Sequence, residues 1–167
     1  MRLNLVHFRA VAELKRAQAA TLFIAFGVLV LAATPWPAAA QTANLSPAGL
    51  WRNIDDQTGQ AKAEIRITAN AAGVLTGVIE KSLVKAAEAV CTLCTDDRKD
   101  KPKLGMEIIR GAKQAEGKDV WESGKILDPE NGKSYTLRLT PADGGKKLDV
   151  RGSIGPFGRT QTWIRIQ

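Results

Sequence analysis

The sequence predicts an all-β protein, an eight-stranded antiparallel up-and-down β-barrel, and three observations predict it. About eight short segments alternate apolar and polar residues with a period of two, the pattern of a half-buried strand. Turns rich in glycine, asparagine and proline separate them at hairpin spacing, and no long amphipathic helix interrupts the series. Consecutive antiparallel strands leave two edges unpaired unless the first meets the last, and closing the sheet removes both.

The elements follow in order. GLWRNID opens the series. AKAEIRITA sets Ala63, Ile65 and Ile67 on one face and Lys62, Glu64, Arg66 and Thr68 on the other. GVLTGVIE, GMEIIRGA and VWESGKIL supply the next three strands. KSYTLRLT brings Tyr135, Leu137 and Leu139 to one face, and KKLDVRGSI does the same with Leu148, Val150 and Ile154. RTQTWIRIQ closes the set, with Arg159, Gln161, Trp163 and Arg165 on one face and Thr160, Thr162, Ile164 and Ile166 on the other. The turns are DDQTGQ, NAAG, PENGK with its Asn131-Gly132 pair, ADGGK and IGPFG, and Asn-Gly accepts the positive φ of a tight hairpin. Residues 81–91, KSLVKAAEAVC, predict a short helical turn.

The N-terminus carries Arg2, Arg9, Lys15 and Arg16, then no charge from Ala17 to Ala33, then PWPAAAQ. A charged start, an apolar centre and small residues at Ala38 and Ala40 predict an export signal over residues 1–40, cleaved after Ala40. The competing reading is an uncleaved membrane anchor, since the apolar run approaches the roughly 20 residues that span a bilayer. Either way the remainder lies outside the cytoplasm, periplasmic or secreted. It is organised as a linker over 41–48 and one barrel domain over 49–167.

The formal net charge of +7 falls to +4 without the signal, which holds four basic residues and one acidic. A mildly basic, mixed-sign domain gives no ground for nucleic-acid binding. The single histidine, His7, lies in the signal, so the mature chain offers no Ser/His/Asp triad, no Cys/His pair and no imidazole metal ligand. No cofactor is implied. Carboxylates at Asp55, Asp56, Asp97, Glu122 and Asp128 leave a carboxylate-based hydrolase as the one enzymatic alternative, but their spacing converges on no site.

Cys91 and Cys94 lie in CTLCTDDRKDKPKLGME. In an oxidising compartment they predict a disulfide staple. Zinc would need two more soft ligands, and thioredoxin-like exchange a βαβ setting. The following TDDRKDKPK, residues 95–103, predicts a solvated loop, either plain surface or a lid beside the barrel mouth; three aspartates without ligand spacing argue against calcium.

GLWRNIDDQTGQAKAEIRI, CTLCTDDRKDKPKLGMEII, GKILDPENGKSYTLRL and KKLDVRGSIGPFGRTQTWIRI, in that order, resemble the secreted bacterial family of domain of unknown function 2147 over nearly the whole mature chain. The resemblance implies a small exported barrel of lipocalin-like type and no established activity. Lipocalins begin their first strand with Gly-x-Trp and lay an arginine of the last strand over the indole. Gly49-Leu50-Trp51 fits the first part, and Arg159 or Arg165 supplies the second.

A barrel of eight strands either fills with side chains or holds one small ligand. The leading reading is a binder of a small, partly apolar or amphipathic molecule, with Trp51, Arg66, Tyr135, Arg138 and Trp163 as candidate wall or mouth residues. The alternative is a filled barrel presenting loops to a protein partner in the cell envelope, favoured by an aromatic content of only 5%.

Overall fold

The computed structural model of the protein describes residues 45–85 and 88–167. The expected export signal at 1–40 and residues 41–44 of the expected linker lie outside the described residues. Eight strands form one closed antiparallel barrel in sequence order: β1 (Gly49–Ile54), β2 (Ala61–Ala69), β3 (Leu75–Ser82), β4 (Glu107–Gln114), β5 (Trp121–Asp128), β6 (Lys133–Ala142), β7 (Lys147–Ile154) and β8 (Phe157–Arg165). The all-β, eight-stranded, up-and-down architecture is the one the alternation predicts. Closure occurs where Trp51 pairs with Arg165 and Arg52 with Ile164. The chain end extends this seam, with Leu50 N donating to Gln167 O at 2.9 Å and Ile166 N to Leu50 O at 2.8 Å.

Register sets which residues look inward. Trp51 pairs with Ile65, Ile65 with Ile79, Leu137 with Gly124, and Trp163 with Leu148, so these positions share the interior. Trp51, Ile65, Ile67, Leu75, Ile109, Leu137, Leu139, Leu148 and Trp163 are each less than 2% exposed or close to it, and they fill the middle of the barrel. Gly77 and Gly124 leave room for this packing; a Cβ on Gly124 would sit 2.6 Å from the Ala112 backbone nitrogen.

The short helical turn is present as a 3-10 turn at Asp143–Gly145, between β6 and β7, rather than over 81–91. Lys81 and Ser82 finish β3, residues 83–85 and 88–91 carry no helix, and residues 86 and 87 lie outside the described residues. Leu83 N donates to Lys62 O at 2.9 Å, which carries the strand ladder onward in place of a helical turn.

The long β3–β4 connection runs over the outside of the barrel. Cys91 and Cys94 form a disulfide, and both are buried. Ile108 and Leu127 lie on the outward faces of β4 and β5, one residue from the inward Ile109 and Ile126, yet are only 5% and 2% exposed. The connection covers them. Arg98 fixes it there, with Nη1 donating to Glu107 O at 3.0 Å and Nη2 to Ser134 Oγ at 3.4 Å. Arg110 on β4 holds Asp97 through two bonds of 2.8 and 2.9 Å, and Lys103 reaches Glu130 at 2.9 Å. Residues 95–103 are thus not wholly solvated as the charge run suggests: Arg98 is 7% exposed, because Asp96 neutralises it beneath the loop.

Candidate functional site

The two ends of the barrel differ. One end carries the start of β1, the end of β8 and the β2–β3, β4–β5 and β6–β7 turns. There the guanidinium carbon of Arg165 stands 4.1 Å from the centroid of the Trp51 ring. Its Nη1 donates to Ala48 O at 2.9 Å, Nη2 to Ser46 O at 2.6 Å, and Nε to Gly145 O at 2.5 Å. The Trp51 indole N–H donates to Pro47 O at 2.7 Å. Residues 46–48, read from sequence as the end of a linker, are part of this plug, and Pro47 is fully buried. Gly49 is required by the arrangement, since a Cβ there would meet Arg165 Nη1 at 2.6 Å. Burial pulls the pKa of Arg165 below the ordinary arginine value.

The opposite end carries the β1–β2, β5–β6 and β7–β8 turns and the start and finish of the β3–β4 connection. Here the inward face is no longer sealed. Asn53, Ala63, Ile126, Tyr135, Gly152 and Gln161 face inward but are half-exposed, and this solvent-reachable set above Trp163 is the open mouth, or cup, of the barrel. Its floor is polar: the Gln161 carboxamide oxygen accepts from Asn53 Nδ2 at 3.0 Å and from Trp163 Nε1 at 3.4 Å. Its wall depends on Gly152, where a Cβ would come within 3.2 Å of Tyr135 Cβ and 3.7 Å of Ile126 Cγ2. The Tyr135 hydroxyl takes a bond from Asn131 Nδ2 at 3.1 Å. The rim is the β7–β8 tip, with Ile154 53% and Phe157 81% exposed.

The sequence-predicted residues divide by face. Trp51, Tyr135 and Trp163 point inward, two of them in the sealed core and Tyr135 in the cup. Arg66 and Arg138 point outward, because each stands an odd number of residues from an inward neighbour on its own strand. Arg66 is held by Glu80 through bonds of 2.6 and 2.9 Å, and Arg138 by Glu122 at 2.9 Å. Neither lines the cup. Of the two arginines considered for the indole, Arg165 occupies the place; Arg159 lies at the other end, paired with Asp56. Asn53, Gly152 and Gln161 were not singled out from sequence. Their signal was there, since Gln161 shares the parity of Trp163, and Asn53 that of Trp51.

The candidate carboxylates Asp55, Asp56, Asp97, Glu122 and Asp128 are each engaged. Asp55 accepts from Thr58 N and Oγ1, both at 2.8 Å, and pairs with Lys62 at 2.9 Å; that lysine first, then Thr58, hold its carboxyl well below the usual carboxylate range. Asp97 is bound by Arg110, Glu122 by Arg138, and Asp128 caps the turn by accepting from Glu130 N at 2.9 Å. For Asp55 and Asp97 these bonds hold the carboxyl below its ordinary value, the opposite of what a proton-donating acid needs. The buried sulfurs are likewise out of reach of thiol exchange, which needs an accessible sulfur.

A family model described as an uncharacterized protein conserved in bacteria (DUF2147) matches residues 49–165. Among solved structures, the chain is similar to protein HP1028 from the human pathogen Helicobacter pylori, described as belonging to the lipocalin family. The likeness has a TM-score of 0.62 at 14% identity and covers 73% of this chain and 84% of that one, which is a likeness of fold. No curated protein matches the chain.

Proposed function

The chain belongs to the bacterial family DUF2147, and from that premise we propose that it is an exported, non-enzymatic binding module that takes one small, partly apolar molecule into the cup between Tyr135 and Gln161. The observation that carries this reading is the change along the inward face. Fully buried apolar side chains at the Arg165 end give way to half-exposed amide, aromatic and aliphatic groups at the other, beneath an exposed phenylalanine. Ligand sites combine apolar walls with a few orienting polar groups, and the Asn53–Gln161 pair supplies such groups over Trp163. Because the middle is solid, the ligand sits at the mouth and is small or only partly enclosed. A disulfide suits the periplasm or the cell exterior, in keeping with the N-terminal signal pattern.

The solid middle also favours a second reading, a filled barrel that docks on an envelope partner through its loops, where Leu93 and Leu104 are 59% and 61% exposed. Native mass spectrometry of protein taken from the exported fraction separates the two. The binder retains a small molecule that Tyr135→Ala and Gln161→Leu release. A bare mass, with no Trp163 fluorescence change on adding small amphipaths, removes the binder and leaves the docking barrel.

A further inference from the structure

The outer face of β5, β6 and β7 carries a feature that neither the barrel nor the cup requires. The β6–β7 register sets Arg138 directly opposite Arg151, and like charges directly opposite on a sheet destabilise it. Glu122 neutralises Arg138 at 2.9 Å, whereas Arg151 has no ion-pair partner among the described residues. Asp149, next along the same face, accepts from Thr162 Oγ1 at 2.9 Å. Room for the Arg151 guanidinium comes from Gly158 on β8, where a Cβ would lie 2.7 Å from its Nη2.

Between the two arginines is a depression of about 440 Å³. The hydroxyls of Ser123, Thr136 and Ser153 line it, and Lys125 Nζ reaches Thr136 Oγ1 at 3.0 Å. Ser123 is held at φ 65°, where the β5–β6 register slips between Trp121 and Gly124. A non-glycine residue there is strained, and such strain gathers at functional sites. Two arginines, one carboxylate and three hydroxyl-bearing residues therefore line one concavity, and Lys125 reaches one of those hydroxyls from outside it.

We propose that this depression binds a phosphate group, with the guanidinium groups of Arg138 and Arg151 on its oxygens and the hydroxyls completing the shell. Guanidinium matches phosphate geometry in a way ammonium does not, and a bound dianion converts the repulsion between the arginines into shared attraction. The group is carried either by a lipid headgroup or by a soluble phosphoester.

The test compares thermal melting of the intact domain in inorganic phosphate and in chloride at matched ionic strength. The native protein gains about 3 °C in phosphate. Arg138→Gln/Arg151→Gln gains nothing and, in chloride, melts no lower than the native protein. Gly158→Ala, which displaces Arg151 and leaves both charges in place, reduces the gain. An equal gain in native and double-variant protein, or none in either, overturns the proposal. Sedimentation with phosphatidylglycerol and phosphatidylcholine vesicles assigns the source: pelleting on the first alone, lost in the double variant, marks a lipid headgroup. Stabilisation by phenyl phosphate without pelleting marks a soluble ester.

Discussion

Arg165, on the last strand, covers the ring of Trp51, on the first, at 4.1 Å, and it bonds three backbone carbonyls of segments far apart in sequence. A cation over an indole contributes about 0.5 to 2 kcal/mol. Removing it also leaves three carbonyls to find new donors, at about 1 kcal/mol or more for each that stays dry. Arg165→Ala is therefore expected to lower unfolding stability by about 2 to 4 kcal/mol in a urea titration. Arg159, in an exposed pair with Asp56, should cost about 0 to 1 kcal/mol on the same change. Equal effects of the two substitutions would show that the indole cap contributes nothing particular.

Acid should destabilise the protein most through Asp55 and Asp96, with smaller contributions from Glu80 and Asp97, whose arginine partners also lower them. The side chain of Arg98, then its backbone N–H, hold the Asp96 carboxyl down to about 2 from the usual 3.8, and Lys62 and Thr58 depress Asp55 further. A folded pKa below the unfolded one gives stability that is complete above about pH 4 and is lost as pH falls toward 2. Denaturation midpoints measured from pH 5 to pH 2 should fall steeply, and Asp55→Asn with Asp96→Asn should flatten the slope. An unchanged slope in both variants would mean that other groups govern acid unfolding.

The disulfide should behave as a buried staple. With Cys91 at 0% and Cys94 at 2% exposure, thiol reagents are expected to find no reactive group in the native protein, and two thiols after denaturation with reductant. Closing so short a loop is worth about 2 kcal/mol in the chain-entropy account. Cys91→Ala/Cys94→Ala should lose about that much. Hydrogen exchange should then quicken over residues 88–105, because the connection that covers Ile108 and Leu127 loosens.

The barrel was legible because its strands bury one face, and a period of two records that face directly in the sequence. The Arg165 seal was legible for the same reason, since Gly-x-Trp at the start and an arginine of matching parity at the end have few ways to meet. Parity also contained the correction to the candidate site: Tyr135 and Arg138 are three residues apart on one strand and cannot both look inward. Burial of Arg98 and of the outward Ile108 and Leu127 was not legible, because it depends on a connection folding back over the sheet, and no periodicity encodes that. Nor did alternation reveal the slip at Ser123 that shapes the outer depression.

Gly132 offers a sharper test of that folded-back connection than the cysteines do. It sits at φ 71°, as does Gly73 in the β2–β3 turn, so alanine at either position meets the same backbone penalty of about 1 kcal/mol. Their surroundings differ. Nothing lies within 4 Å of a Cβ on Gly73, whereas one on Gly132 would overlap the Leu93 carbonyl, where the disulfide loop rests on the β5–β6 turn. Gly132→Ala is thus expected to cost about 3 kcal/mol or more, with overpacking added to strain, and Gly73→Ala only the strain. Since the Leu93 carbonyl belongs to the loop, the extra cost should shrink when Cys91→Ala/Cys94→Ala lets the loop move. A double-mutant cycle by urea unfolding reads that coupling, and strictly additive losses would mean that the loop does not rest on this turn.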